Sequence, residues 1–229
     1  FHDWTLDCRT NGKGVTREQS MAELKTLDIG DGYTADGGKT FPFRGKFVGA
    51  MPTLDEVLAR FPDKRFLINI KSNDAEEGRK LAARLRQLPE AQQRLLMSYG
   101  GDRPEDVLAA EIPQMRTMGR KRLMQCMTNY LAYGWTGILP ETCHNTLILV
   151  PENYAPLLWG WPNRFVERMH SVGSEVYLRG PYGAGSQFPA GIDTVEQLEA
   201  IPKDFPGGIW TDRIDTVAKH RRNANVTKQ

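Results

Sequence analysis

Two adjacent residues near the start of the chain have the types needed for proton transfer. His2 is followed by Asp3, and the pair leads into a polar, glycine-punctuated run that ends Thr10-Asn11-Gly12-Lys13-Gly14. An imidazole with an ordinary pKa of ~6.5 can hold a proton for a departing alkoxide near neutral pH, and a neighbouring carboxylate can fix its tautomer or raise its pKa. That is a general-acid arrangement. A His-Asp dipeptide alone is a weak signal, because structural and surface histidines outnumber catalytic ones, so the weight rests on the spacing of the residues downstream of it. His144, His170 and His220 have no motif around them and read as structural or surface residues. Cys8, Cys126 and Cys143 lack the paired CxxC spacing of a zinc site and are too few for a disulfide scaffold. They read as small buried residues, with a Cys126 to Cys143 bridge left open in an oxidising compartment.

The elements that must position such residues show themselves from residue 64 onward, where short apolar runs alternate with longer amphipathic ones. This is the pattern of parallel strands buried by crossover helices. Strands are expected at 65–71 (RFLINIK), 94–99, 114–118, 146–150, 175–179 and 208–211, with helices at 76–87, 104–110, 121–132, 162–172 and 194–200. Asp74 and the Asp193-Thr194 pair can accept the free N–H groups of a first helical turn, and Gly173 is placed to end a helix. Six strands in strict alternation, on a chain that opens in the middle of something, suggest a TIM-type (β/α)8 barrel lacking its first strand or strands. An open doubly wound sheet is the alternative. The 12–50 stretch breaks the rhythm with its glycines and a single helix expected at 17–27, and it reads as an insertion over one barrel face. The domain is expected to span 1–218, with 219–229 a polar tail that frays.

Composition narrows the function classes. The 229 residues are 40% hydrophobic, enough for one sizeable core, and 30 Lys and Arg against 28 Asp and Glu leave a net charge of +2. No overall field would draw the protein onto nucleic acid or an anionic membrane, so anion recognition must be local. No apolar run approaches the ~18 residues of a membrane span and no leader pattern is present, so the chain reads as soluble. It opens Phe1-His2-Asp3 without an initiator Met, from which processing or truncation is expected; the compartment stays open, with the cytoplasm favoured over the periplasm.

The opening HDWTLDCRTNGKG resembles the HDxTLDRTTNGxG segment of the bacterial glycerophosphodiester phosphodiesterase family. Further along, AELKTLDIG (22–30), MPTLDEVL (51–58) and GGIWTDRID (207–215) are similar, in order, to that family's ELxxLDaG, iPTLeEvL and dGiiTDyPd segments. The resemblance implies a TIM-type barrel that cleaves glycerophosphodiesters to an alcohol and glycerol 3-phosphate, using two histidines and a divalent cation, Mg2+ or Ca2+. Such an enzyme belongs to lipid and glycerol metabolism. His2 matches the second histidine. The first, in an HRG motif, and two acidic ligands in an ExD motif would lie upstream of Phe1, so this stretch alone is expected to lack most of the active site.

Two departures from the family pattern bear on the chemistry. The family's strand-end ExK reads Asn69-Ile70-Lys71 here, so Asn69 stands where a metal-binding Glu is expected. A carboxamide oxygen can ligate a hard cation but brings no charge, which implies weaker metal binding. Lys71 keeps the family lysine, placed to neutralise a phosphate oxygen. In 176–182 (VYLRGPY), Arg179 replaces the pocket tryptophan; it can grip phosphate or pair with a carboxylate at the core rim. Asp212 reads as a structural acceptor at a strand end. Ser98 and Tyr99 can line the pocket, and the aromatic cluster Tyr154, Trp159, Trp161 and Phe165 reads as core or lid packing. The expected partner is a small-molecule glycerophosphodiester, without nucleic acid and without membrane insertion. The rival readings are a catalytically impaired relative that binds a phosphorylated ligand, and a phospholipase-D-like lyase that forms a cyclic phosphate.

Overall fold

The structure, a computed structural model, describes residues 1–183 and 190–226 and forms two compact units, Phe1–Lys64 and Arg65–Gln229.

The first unit holds little regular structure. Helix α1 (Met21–Leu24) starts at Ser20, whose hydroxyl accepts from the Glu23 N–H while the Glu23 carboxylate accepts from the Ser20 N–H; Thr53 and Glu56 repeat this reciprocal cap at α2 (Leu54–Arg60). The helix expected over 17–27 is therefore two short pieces, a 3-10 turn at Thr16–Glu18 and α1, because the extended backbone of Gln19 and the Ser20 cap restart the chain. Leu6, Leu24 and Met51 form a small core with Leu27 and Ile29. The adjoining loop is organised around buried Asp28, whose carboxylate accepts backbone N–H groups from Gly30, Gly45 and Phe47. Burial works against its ionisation, yet these three donors and the nearby Arg44 hold its pKa below the usual carboxylate value. Gly32 is dictated by crowding: a Cβ there would lie 1.8 Å from the Cys8 carbonyl oxygen.

The second unit has the expected alternation. Strands β1 (Phe66–Ile70), β2 (Leu96–Gly100) and β3 (Arg116–Gly119) form one parallel sheet in that order, and β4 (Leu147–Pro151), β5 (Glu175–Arg179) and β6 (Gly208–Ile209) form another. Helix α3 (Ala75–Leu85) and the short α4 (Glu90–Gln93) lead from β1 to β2, α5 (Asp102–Glu111) from β2 to β3, and α6 (Arg120–Tyr133) from β3 to β4. Next, α7 (Asn163–Ser171) connects β4 to β5 and α8 (Val195–Ala200) connects β5 to β6. Last, α9 (Ile214–Val226) carries helix through positions expected to fray, and the end of the expected tail, 227–229, lies outside the described residues. Asp74 caps α3, Thr194 with Gln197 caps α8, and Gly173, at φ 78°, follows α7.

Strand alternation gives the sheets two faces, each packed against apolar side chains. Leu67, Met97, Tyr99, Met118, Leu147, Leu149 and Tyr177 meet in a cluster that draws on five of the six strands and on both sheets. The opposite face sends Ile148, Val150, Val176 and Leu178 against Phe165, Val166 and Met169 of α7 and Cys126 and Tyr130 of α6. Trp161 and Phe165 belong to this outer core, whereas Trp159 remains half exposed. The two sheets meet between β3 and β4, where the Thr146 hydroxyl donates to the Thr117 carbonyl at 2.6 Å. Cys126 and Cys143, both fully buried, form a disulfide with Cα atoms 4.9 Å apart. Cys8 is exposed rather than buried, in a turn between buried Leu6 and Thr10 that directs its side chain to solvent.

Candidate active site

In the first unit, His2 and Asp3 make the contact their adjacency suggests, with His2 Nδ1 3.0 Å from Asp3 Oδ1. Arg9 Nε donates to the other oxygen, Asp3 Oδ2, at 3.1 Å, so the carboxylate is held from both sides. The hydrogen bond from His2, with Arg9 in support, keeps the Asp3 pKa below its ordinary value. The His2 side chain is 78% exposed, and the Asp3 carboxylate orients its ring.

In the second unit, all six strands are parallel, so their C-terminal ends share one end of the fold, where barrel enzymes keep their chemistry. Asn69, in register with Tyr99, alternates with Leu67 and therefore stands on the inner face; its Nδ2 donates to the Tyr99 carbonyl at 3.1 Å. Lys71 is the next inner position, one residue beyond the end of β1, and is exposed. The Tyr99 ring meets Trp210 edge-to-face at 5.6 Å, just past β6, and burial together with the Asp212 charge raises its pKa. Arg179 ends β5 on the inner face with Glu175 and Tyr177; its guanidinium lies 5.6 Å from the Tyr182 ring centroid and Nε makes a long 3.3 Å bond to the Gly180 carbonyl. Burial lowers the Arg179 pKa, and among the described residues no carboxylate stands close enough to reverse that. Gly100 lets β1 and β2 close at this end, since a Cβ there would lie 2.2 Å from the Ile70 carbonyl oxygen.

Two expected roles change. Ser98 points to the outer face, fully buried, and donates to Glu105 of α5 at 2.7 Å, because the residue between two inward positions must face outward. The structural acceptor near β6 is Asp193, whose Oδ1 takes the Thr211 hydroxyl and the Asp212 N–H at 2.9 and 2.7 Å; Asp212 supplies only its backbone to that bond and its side chain is exposed.

Sequence reasoning missed three features. Trp210 follows the glycine pair of the GGIWTDRID run, and its partnership with Tyr99 needs two strands that only the fold brings together. Asn153 bonds the Tyr182 backbone in both directions, at 2.8 and 2.9 Å, and so ties the β4 loop to the β5 loop beside Arg179. At the opposite, N-terminal strand end, Glu175 accepts from Arg65 and from the Tyr177 hydroxyl and lies 3.3 Å from Arg116. Burial, followed by the Glu175 hydrogen bond, pushes Tyr177 up to about 12. These groups and His170 line an open cavity of about 490 Å3. It lies at the end away from a barrel's catalytic mouth, and both of its arginines are engaged by Glu175, so it reads as a structural seam.

No protein-family model matches the chain. Over 72 residues, 31% of this chain, it is 39% identical to a glycerophosphodiester phosphodiesterase of Caldanaerobacter subterraneus subsp. tengcongensis, and over 82 residues it is 37% identical to one of Bacillus subtilis. Over these stretches the chain resembles the glycerophosphodiester phosphodiesterases. The aligned stretches span 26% and 27% of those two proteins' own lengths. Among solved structures, a glycerophosphodiester phosphodiesterase from Agrobacterium tumefaciens matches with a TM-score of 0.62 and 23% identity, covering 96% of this chain and 79% of its own. A glycerophosphoryl diester phosphodiesterase domain from Mycobacterium tuberculosis matches with a TM-score of 0.67 and 14% identity, covering 97% and 82%. At such identities the structural likeness is one of fold.

Donors for a divalent cation are few among the described residues. Among the described residues no group of three or more His, Cys, Asp or Glu side chains is placed to hold a metal ion. Asn69 offers one neutral oxygen, with its amide nitrogen already bonded to Tyr99. The residues present do not by themselves fit a Mg2+ or Ca2+ site, in which one or more carboxylates join carbonyl oxygens and waters in a shell of about six to eight oxygens.

Proposed function

We propose that the protein is a phosphoric diester hydrolase that cleaves glycerophosphodiesters to an alcohol and glycerol 3-phosphate. The observation that supports this most directly is the inner-face set at the C-terminal strand ends, Asn69, Lys71, Tyr99 and Arg179, which is cationic and hydrogen-bonding and suits an anionic ligand. The architecture proposed with it is a TIM-type barrel within 1–218, with the glycine-rich 12–50 stretch as an insertion.

In this reading His2 is the general acid. Its Nδ1 is engaged by Asp3, so Nε2 carries the proton that passes to the leaving alkoxide as the phosphorus–oxygen bond breaks and a water oxygen bonds to phosphorus. Lys71 neutralises a phosphate oxygen, and Arg179 binds the substrate. The divalent cation that relatives' chemistry implies finds too few donors in this chain, so no step runs through it. Replacing His2 with Ala in the full-length protein is expected to lower kcat by about 100-fold or more, with the ~10²–10⁴ contribution of a positioned acid as the guide, while substrate affinity changes little. Unchanged turnover refutes the acid role.

Asn69, in place of a carboxylate, favours one second reading, a relative that binds a phosphorylated ligand without cleaving it. Turnover of glycerophosphocholine by the full-length protein under saturating Mg2+ or Ca2+ decides between them: its absence removes the hydrolase reading. Phosphorus NMR of the product then separates linear from cyclic phosphate and so tests the lyase reading.

A further inference from the structure

Among the described residues, Arg179 is a half-buried cation without a counter-charge. Its guanidinium has five N–H donors, and the hydrogen bond it makes there is the 3.3 Å contact to the Gly180 carbonyl. The other arginines on the inner face of these strands are paired: Arg65 and Arg116, at the far end of the same face, share Glu175. The chain from Pro181 through Ile192 contains no Asp or Glu, so the loop leaving β5 supplies no carboxylate either. Glu152 is adjacent in space through its backbone, which donates to the Arg179 carbonyl, but it follows inward-facing Pro151 and makes no ion pair with the guanidinium.

The surroundings of Arg179 are built rather than loose. The Asn153 carboxamide clamps the Tyr182 backbone from both sides, Tyr154 packs against the Tyr182 ring at 6.4 Å, and the guanidinium rests over that ring. The guanidinium is thereby held against the loop that follows β5, on the sheet that does not contain β1. Partly desolvated charge is costly to keep without an anion, and a pre-oriented planar fork suits a carboxylate or phosphate.

We propose that Arg179, braced by Tyr182 and Asn153, is a specificity determinant that reads a second negative charge, on the alcohol moiety of the diester. The substrate class is then glycerophosphodiesters whose head group is itself anionic. The inference rests on the hydrolase reading for the identity of the ligand, though not for the presence of an anion site.

The test compares glycerophosphoserine, which carries a head-group carboxylate, with glycerophosphocholine, which does not. The full-length protein is assayed as wild type, Arg179→Met and Arg179→Lys, with kcat and KM measured separately. The ratio of kcat/KM for the serine over the choline diester is expected to fall about tenfold in Arg179→Met, through KM, as one charge-assisted hydrogen bond is lost; Arg179→Lys is expected to keep part of the preference. Equal loss on both diesters assigns Arg179 to the scissile phosphate and overturns the proposal, as does an unchanged ratio. If the wild type turns over neither diester, the hydrolase reading falls on its own, and calorimetric titration of the same two diesters still decides: a serine-diester preference in affinity that Arg179→Met abolishes sustains the anion site, and equal affinities overturn it.

Discussion

At the scale of single residues, the polar groups facing outward from the strands are as consequential for stability as those facing in. Glu105 is 2% exposed, accepts a hydrogen bond from Ser98, and leaves Oε2 without a partner. Burial raises its pKa to about 8 from an ordinary 4.5, against the smaller opposing effect of the Ser98 hydrogen bond. The folded state therefore holds this proton more tightly than the unfolded chain, and stability must fall as pH rises from about 4.5 to about 8, then level off. The loss at pH 7 is on the order of 3 kcal/mol at most, from about 1.4 kcal/mol per pH unit. Glu105→Gln keeps a partner for Ser98 and cannot ionise, so urea midpoints at pH 5 and pH 8 should converge in the variant while they separate in the parent. The position was readable in principle: Glu105 falls three residues before Leu108 on the buried stripe of a helix the sequence does reveal. His2 and Lys71 stood out in the sequence because motif spacing surrounds them, and their roles are proposals, that of His2 tested by its replacement with Ala. The isolation of Arg179 was not, since it depends on which carboxylates fail to approach in space.

At the scale of elements, the six strands fall within two residues of their expected bounds, because apolar runs cut off by polar turns leave little freedom. The failures have a local cause. Ser20 with Glu23 and Thr53 with Glu56 each spell a capping box, a start signal that breaks the longer helix expected at 17–27 and creates α2 where none was expected. Thr194 with Gln197 forms the same device at α8. Thr194→Ala should therefore cost ~1 kcal/mol in chemical denaturation. The disulfide ties α6 to the 3-10 turn Glu141–Cys143 across 17 residues. Under denaturing, non-reducing conditions an alkylating reagent should modify Cys8 alone, and Cys126→Ala with Cys143→Ala should lose ~3 kcal/mol, the amount expected for a loop of about 15 residues. Three modified thiols in the parent would show that the bridge does not form.

At the scale of the whole molecule, the parallel order of β1 to β6 and the presence of one helix or more in each crossover were legible, since strict alternation admits few other arrangements. The partition into two units and the Arg65–Glu175–Arg116 network were not, because the network joins residues up to 110 positions apart whose charges look like ordinary surface in the sequence. Glu175 ties β1 and β3 of one sheet to β5 of the other. Glu175→Ala should leave two guanidinium groups facing each other and cost about 2 kcal/mol, read as a lower urea midpoint with unchanged slope. The two outermost strands add a further consequence. Among the described residues no strand pairs with the free side of β1 or of the two-residue β6. Unpaired strand sides of this kind can take up an extended peptide, so the expected liability is self-association through them, read as a concentration-dependent rise in light scattering.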